Sequence, residues 1–133
     1  MNRSVLLLMA LCASMMVSAE VFKFQATSLS SKHFNEYGGY WSEWSDWENC
    51  NILVVINSSA EKINIYSSVT QEYDIYDSHD VSYDNDGGQT ATFNCIDADG
   101  LRCDVRLRVQ SDGQAQLYVD YSDFMFVYNI ESK

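Results

Sequence analysis

The side chains of this 133-residue chain that could carry chemistry are its 19 acidic residues, two histidines and four cysteines. His33 and His79 fit no zinc-binding spacing, and the sequence contains no nucleophile elbow, phosphate-binding loop or dinucleotide-binding fingerprint. Paired carboxylates are the groups that a glycosidase needs, but no spacing singles out one pair in a cleft. The sequence therefore predicts a protein that is not an enzyme and that has no cofactor.

Cys95 and Cys103 are the candidates for a disulfide. They flank an Asp-Gly pair, and a three-residue loop at 98–100 places them directly opposite each other on two antiparallel strands. Two Cα atoms about 5.5–6 Å apart accept a disulfide, so we expect a structural bridge here. A redox pair is the alternative, but the chain has no Cys-x-x-Cys motif. Cys50 is then the odd thiol, either buried and inert or bridged to another molecule.

Asp104 and Asp120 are predicted to lie directly opposite each other on two neighbouring antiparallel strands, on the polar face of the sheet. Two facing carboxylates beside an amide are ligands that calcium prefers. Alternatively, Arg102 and Arg106, which are diagonal to Asp104, neutralise the repulsion between the carboxylates. The arginines are the favoured interpretation, and no metal is predicted. The two carboxylates belong to a predicted row of polar side chains that crosses four neighbouring strands: Ser78, Asn94, Asp104 and Asp120.

The segment 40–47 (YWSEWSDW) contains all three tryptophans of the chain. An exposed aromatic surface binds sugars, lipids or partner proteins, so the candidate ligand-binding residues are Tyr40, Trp41, Trp44 and Trp47. The alternative is that these rings plug the end of a barrel or anchor its core. The segment is similar to the tryptophan–serine box of cytokine receptors and to the start of thrombospondin type 1 repeats. Both are rejected, because the arginines of the former and the six cysteines of the latter are missing.

In the second half of the chain, a regular series of strands must position the cysteine pair and the facing carboxylates. Three Asp-Gly pairs recur every 13 residues, and apolar and polar residues alternate between them, most clearly from Leu101 to Gln110. Apolar faces match across neighbouring strands only if each loop has three residues and ends in a left-handed glycine. This register pairs Val105 with both Phe93 and Val119. The predicted strands are 79–84, 88–97, 101–110, 114–123 and Met125 to Ile130.

Four further strands are predicted in the first half, and no stretch has a helical period. The chain also has no proline, which fits uninterrupted sheet ladders. We therefore predict an all-β fold, an antiparallel meander of about eight strands that closes into a small barrel or a two-layer sandwich. The four strands are Val21 to Ser28, Asn51 to Asn57, Lys62 to Ser67 and Gln71 to Asp77.

Residues 1–19 have the three-part pattern of a cleaved signal peptide: an arginine, an apolar stretch and small residues, with cleavage after Ala19. The apolar stretch is too short for a membrane anchor, and Leu11 disfavours lipidation at Cys12. We expect a single β domain over 20–133, exported to the periplasm or the exterior, with no transmembrane segment after cleavage.

Five stretches carry a resemblance to known proteins: Ile63 to Ser67, Gln71 to Ile75, Cys95 to Gly100, Leu117 to Tyr121 and Val127 to Asn129. Together they are similar to a group of uncharacterised small exported proteins from Bacteroides-type gut bacteria. The resemblance implies export and an antiparallel β fold, and it transfers no activity and no site residues.

The net charge is −11, and loss of Arg3 with the signal peptide leaves seven basic residues against 19 acidic ones, a charge of −12. Such a charge excludes a typical nucleic-acid binder. Export and the aromatic content predict a secreted or periplasmic β-barrel-like binding module for a small ligand or glycan. The alternative is an acidic interaction protein or inhibitor that binds a basic protein partner, because its charge would speed capture of a cationic surface.

Overall fold

The computed structural model describes residues 21–133, so the expected signal peptide at 1–19 and Cys12 lie outside the described residues. The described chain forms ten strands. They are β1 (Val21–Asn35), β2 (Tyr40–Trp41), β3 (Glu48–Asn57), β4 (Lys62–Tyr66), β5 (Thr70–Ser78), β6 (Ser82–Tyr83), β7 (Gln89–Asp97), β8 (Arg102–Val109), β9 (Ala115–Asp120) and β10 (Phe124–Ser132). Within residues 21–133 no helix is long and apolar enough to cross a membrane.

Eight of these strands form a closed antiparallel barrel. Apart from β2 and β6, each strand pairs with the next one in the chain, and β10 pairs back with β1 to close the sheet. The predicted all-β meander is therefore confirmed, and closure between the first and last strands makes it a barrel rather than a sandwich. An eight-stranded barrel has an interior that side chains just fill or that holds one small ligand.

The barrel core follows the alternation that the sequence shows most clearly in β8. Cys103, Val105, Leu107 and Val109 are at most 5% exposed, while the intervening side chains lie on the outer face. Burying an aliphatic or aromatic side chain contributes about 1.5–3 kcal/mol. The other large side chains with almost no exposure are Tyr73, Phe93, Ile56, Ile63, Ile65, Leu117, Val54 and Val119.

The predicted hairpin register is confirmed in the second half of the chain. Val105 pairs with Phe93 on one side and Val119 on the other. The three loop glycines have φ of 91°, 84° and 90°, the left-handed conformation that a three-residue hairpin requires at its last position. They are Gly87, Gly100 and Gly113.

Two strand predictions were wrong in detail, and one strand was missed. The first strand does not stop at Ser28: Thr27 lies at a register shift in the pairing of β1 with both neighbours, and the strand continues to Asn35. The predicted strand 79–84 shortens to the two residues of β6, and β2 was not predicted at all. The residues beyond Thr27 are mostly polar, so no apolar alternation identified them as strand.

The predicted pairing of Ser78 with Asn94 is also wrong. The predicted pair extends the β6–β7 register, in which Ser82 pairs with Thr90, back across residues 79–81, but these residues are not strand and Asn94 pairs with Asp77 instead. A β-bulge at Tyr76 also shifts the later pairs of β5 by one residue.

Candidate ligand site at the barrel mouth

One end of the barrel opens into a cavity where the β4–β5, β7–β8 and β9–β10 connections meet. The cavity has a volume of about 530 Å³. Small-molecule sites typically measure about 300–1,000 Å³, and the mouths of β-barrels are one of their usual places. We call this space the mouth cavity.

Five aromatic rings line the mouth cavity. Along β10 the rings of Phe124, Phe126 and Tyr128 follow one another at alternate positions, with centroids 5.8 Å and 5.6 Å apart. Tyr73 of β5 and Tyr121 of the β9–β10 connection complete the aromatic lining. Such rings offer a large contact area to a ligand that is itself flat or apolar.

A tyrosine and glutamine cluster supplies polar groups at the inner wall. The Tyr73 hydroxyl donates to Oε1 of Gln71 at 2.6 Å, and Nε2 of Gln71 lies 3.3 Å from the Tyr128 hydroxyl, to which it donates. Burial raises the pKa of Tyr73 and of Tyr128, so both phenols stay protonated at neutral pH. The Tyr128 proton has no acceptor among the described residues, which leaves a donor for a ligand.

Asp97 fixes the β7–β8 connection at the rim. Its Oδ1 accepts hydrogen bonds from the backbone N–H of Asp99 at 3.0 Å and of Leu101 at 2.9 Å. The Tyr121 hydroxyl donates to its Oδ2 at 2.7 Å. Burial acts to raise the pKa of Asp97, but these hydrogen bonds outweigh it and hold the pKa below its usual value. Asp97 is therefore a carboxylate at neutral pH.

The four residues predicted to bind a ligand lie outside the mouth cavity. Trp41 is half-buried, while Tyr40, Trp44 and Trp47 are 58%, 39% and 50% exposed. The alternative of core anchors is wrong, because no tryptophan belongs to the buried core of residues 21–133. Their role in binding stays a prediction.

Sequence reasoning did not identify the rings that line the cavity. The available signal was the alternation of aromatic residues in β10, where Phe124, Phe126 and Tyr128 all fall on one face. That pattern fits a filled core equally well, so it did not distinguish a cavity wall from packing.

The serines of the tryptophan segment hold it against the free edge of β1. The backbone N–H of Ser42 donates to the His33 carbonyl, and the Ser42 hydroxyl accepts from the His33 N–H at 3.0 Å. Ser45 repeats this arrangement with Ser31, at 2.8 Å and 3.0 Å. Each serine thus uses its side chain where a regular strand would use a carbonyl. The two serines are three residues apart in the tryptophan segment, but the β1 residues that they pair with are only two residues apart.

This arrangement places Trp41 and Trp44 in a row of side chains that also contains Tyr118 and two cations, Lys32 and Arg106. Nζ of Lys32 lies 5.5 Å from the ring centroid of Trp41 and 4.7 Å from that of Trp44. The Trp44 ring then contacts Tyr118 at 6.2 Å, and Cζ of Arg106 lies 4.2 Å from the Tyr118 centroid. The cations come from β1 and β8, not from the tryptophan segment itself. We call this row the cation–ring row.

The tryptophan segment also covers part of the outer barrel face. Ser30 and Val127 pair directly and are only 1% and 3% exposed, although they lie on the outer side. The Ser30 hydroxyl donates to the Ser45 carbonyl at 2.6 Å. The segment therefore buries one polar and one apolar side chain outside the main core.

Asp104 and Asp120 pair directly, as predicted. Arg106 donates to both oxygens of Asp120, from Nε at 2.5 Å and from a terminal nitrogen at 3.1 Å. Nδ2 of Asn94 donates to Asp104 at 2.6 Å, and Arg102 lies over the ring of Tyr76 instead. The expected neutralisation of the facing carboxylates by arginine is therefore observed for Arg106 and not for Arg102. No group of three or more metal-ligating side chains occurs within 21–133.

Cys95 and Cys103 pair directly in register, as predicted. Both are buried, and in the structure both are free thiols, as is the half-buried Cys50. The disulfide therefore stays a prediction. Burial raises the pKa of Cys95 to about 12 and that of Cys103 to about 11. Few thiolates form in the folded, reduced protein at neutral pH.

Comparisons with protein-family models, with curated proteins and with solved structures give no match to this chain.

Proposed function

We propose that the chain is an exported binding module whose mouth cavity holds one small organic ligand with an aromatic or apolar body. The observation that carries this proposal is the 530 Å³ space at the open barrel end, walled by five aromatic rings. A few polar groups at fixed places accompany the rings, which is the usual composition of a small-molecule site.

The polar groups in the cavity are held in place before any ligand arrives. Gln71 is fixed between Tyr73 and Tyr128, and Asp97 is fixed by backbone donors and by Tyr121. A site whose groups are already ordered loses less conformational entropy on binding. This supports a ligand site rather than an incompletely packed core.

Fluorescence titration with N-phenyl-1-naphthylamine, a neutral aromatic probe, tests the proposal. The probe should bind with a stoichiometry of one, and Ser31→Trp should abolish binding because the indole fills the cavity beside Leu29. The matched control is Ser82→Trp, since Ser82 is exposed on β6 and does not line the cavity. Equal binding by both variants, or no saturable binding by the wild type, contradicts the proposal.

A second proposal is that the acidic surface binds a basic protein partner. Its support is the surroundings of the tryptophan segment, where exposed Tyr37, Tyr40 and Trp47 adjoin exposed carboxylates in the chain. These carboxylates belong to Glu36, Glu43, Asp46 and Glu48.

Binding to a tryptophan- and arginine-rich model peptide tests this second proposal. Its association rate should fall as salt is raised, and the double substitution of Glu43 and Asp46 to their amides should slow it. Substitution of Asp86 and Asp112 to Asn removes the same charge elsewhere and is the control. A rate that ignores salt, or equal slowing by both double variants, argues against the proposal.

A further inference from the structure

The charged groups at the mouth cavity all have one sign. Among the described residues that line it, none is a lysine, arginine or histidine, whereas Glu72, Asp97 and Asp99 are acidic. The Glu72 carboxylate is already paired with Nζ of Lys62 at 2.5 Å. Asp97 and Asp99 are therefore the carboxylates left to act on a bound molecule.

These two carboxylates differ in how they are held. Asp97 is held by the Tyr121 hydroxyl and by backbone donors of the β7–β8 connection, so its charge is fixed in place at the rim. Asp99 is exposed at the tip of the β7–β8 connection, and no side-chain hydrogen bond or ion pair is found for its carboxylate within 21–133. Together they place negative charge at one side of an aromatic space, with no compensating cation in the lining.

This combination discriminates between ligands by charge. An anion would meet carboxylates of like charge and no cation, so only the Tyr128 hydroxyl would compensate for its lost hydration. A cation would gain attraction from the carboxylates and from the rings, because aromatic faces attract organic cations. Tyr121 is the ring joined directly to that charge, since its hydroxyl donates to Asp97, and Phe124, Phe126 and Tyr128 line the same cavity.

We infer that the ligand of the mouth cavity is an organic cation, an amine or a quaternary ammonium compound with an apolar body. The inference rests on the proposed small-molecule function and adds the chemical class of the ligand. The apolar body would occupy the aromatic space, and the cationic group would lie toward Asp97.

Displacement of N-phenyl-1-naphthylamine by three matched compounds tests the inference. They are benzyltrimethylammonium, its neutral isostere neopentylbenzene, and the anion phenylacetate. We expect the cation to bind about tenfold more tightly than the neutral isostere and the anion to bind weakest. Raised salt should weaken the cation and leave the neutral compound unchanged.

Asp97→Asn should lower the affinity for the cation about fivefold and leave that for neopentylbenzene unchanged. Asparagine retains an acceptor for the loop N–H groups, so the connection should keep its shape. Asp112→Asn is the control: it removes the same charge from the β8–β9 loop, at the opposite end of the barrel. If Asp97→Asn unfolds the loop, the salt dependence measured on the wild type decides instead.

The failures of the two proposals are distinguishable. If the naphthylamine probe binds but the cation is no tighter than its neutral isostere, the cationic class is wrong and the binding function stands. If the probe does not bind, or Ser31→Trp leaves its binding intact, the function assigned to the cavity fails together with this inference.

Discussion

The Tyr121 hydroxyl donates a hydrogen bond of 2.7 Å to Oδ2 of Asp97, and this bond joins two connections at the barrel mouth. Asp97 is the last residue of β7, just before the β7–β8 connection, and Tyr121 begins the β9–β10 connection. Both residues line the mouth cavity. The bond thus fixes both the rim of the cavity and the position of its carboxylate.

Tyr121→Phe should lower the free energy of unfolding at neutral pH by about 1–2 kcal/mol, as expected for a hydrogen bond to a charged group. The pKa of Asp97 is lowered in the folded state, so the stabilisation is complete above the usual aspartate pKa of about 3.9. It is lost as the pH falls through the lower folded-state pKa. The stability difference between wild type and variant should therefore shrink in acid, measured by urea unfolding at several pH values.

Tyr118→Phe is the control for this pH dependence. Its hydroxyl donates to an amide oxygen, Oε1 of Gln116, at 2.9 Å, and the amide does not titrate. The stability difference for Tyr118→Phe should stay constant in acid. Parallel acid profiles for the two variants would show that the carboxylate of Asp97 is not stabilised by Tyr121.

Refolding in a glutathione redox buffer should join Cys95 to Cys103. The predicted bridge closes a short loop, and loop-closure entropy gives a stabilisation of roughly 2–3 kcal/mol. Intact mass should decrease by two hydrogens, and the urea midpoint should rise. Cys50→Ser removes the third thiol and should leave both results unchanged. A mass loss that depends on Cys50 would mean that the pairing is different.

Alkylation of the reduced, folded protein should follow the thiol pKa values. Because the thiolate is the reactive form, modification of Cys103 should accelerate about tenfold for each pH unit as the pH rises toward about 11. Cys95 should lag behind it, since its pKa is about 12. Iodoacetamide labelling followed by peptide mass spectrometry measures the two rates. Equal, pH-independent rates would indicate that the barrel opens before reaction.

Trp44→Ala should lower the free energy of unfolding by about 1–2 kcal/mol. The substitution removes the contacts of Trp44 with Lys32 and Tyr118 and breaks the cation–ring row. Trp47→Ala is the matched control, because Trp47 is half exposed and no ring or cation contact is found for it in the described part of the chain. It should change stability by less than about 0.5 kcal/mol. Similar losses in both variants would contradict the role given to the row.

Arg106→Met should destabilise the barrel by about 1–2 kcal/mol, because it leaves Asp120 facing Asp104 without its bidentate partner. The second substitution Asp120→Asn should restore part of the loss by removing the repulsion. A double-mutant cycle of urea unfolding measures the coupling between Arg106 and Asp120. Additive losses would mean that the ion pair contributes nothing to stability.

The register of the second-half hairpins was determined by local sequence. The alternation from Cys103 to Val109 fixes which face is buried, and each Asp-Gly pair fixes a three-residue loop, so Phe93, Val105 and Val119 had to meet. These constraints act between neighbouring residues and neighbouring strands. They do not depend on how the sheet closes.

The β-bulges were not predictable in the same way. Thr27 and Tyr76 shift the register of β1 and β5, but each is an ordinary strand residue in the sequence. A bulge is favoured or disfavoured by the packing of both neighbouring strands. A separate error placed Ser78 opposite Asn94, one residue away from the observed pair, because the hairpin register of β6 does not continue across residues 79–81 into β5.

The sequence by itself determined the strand order, the local register and the facing of Cys95 with Cys103, because turn chemistry and side-chain alternation act over short distances. Only the tertiary structure decided the barrel closure, which pairs Leu29 with Tyr128 and so encloses the mouth cavity. It also brought Lys32 and Arg106 to the tryptophan row from two distant strands. Closure depends on the twist and packing of all eight strands together, which no local pattern specifies.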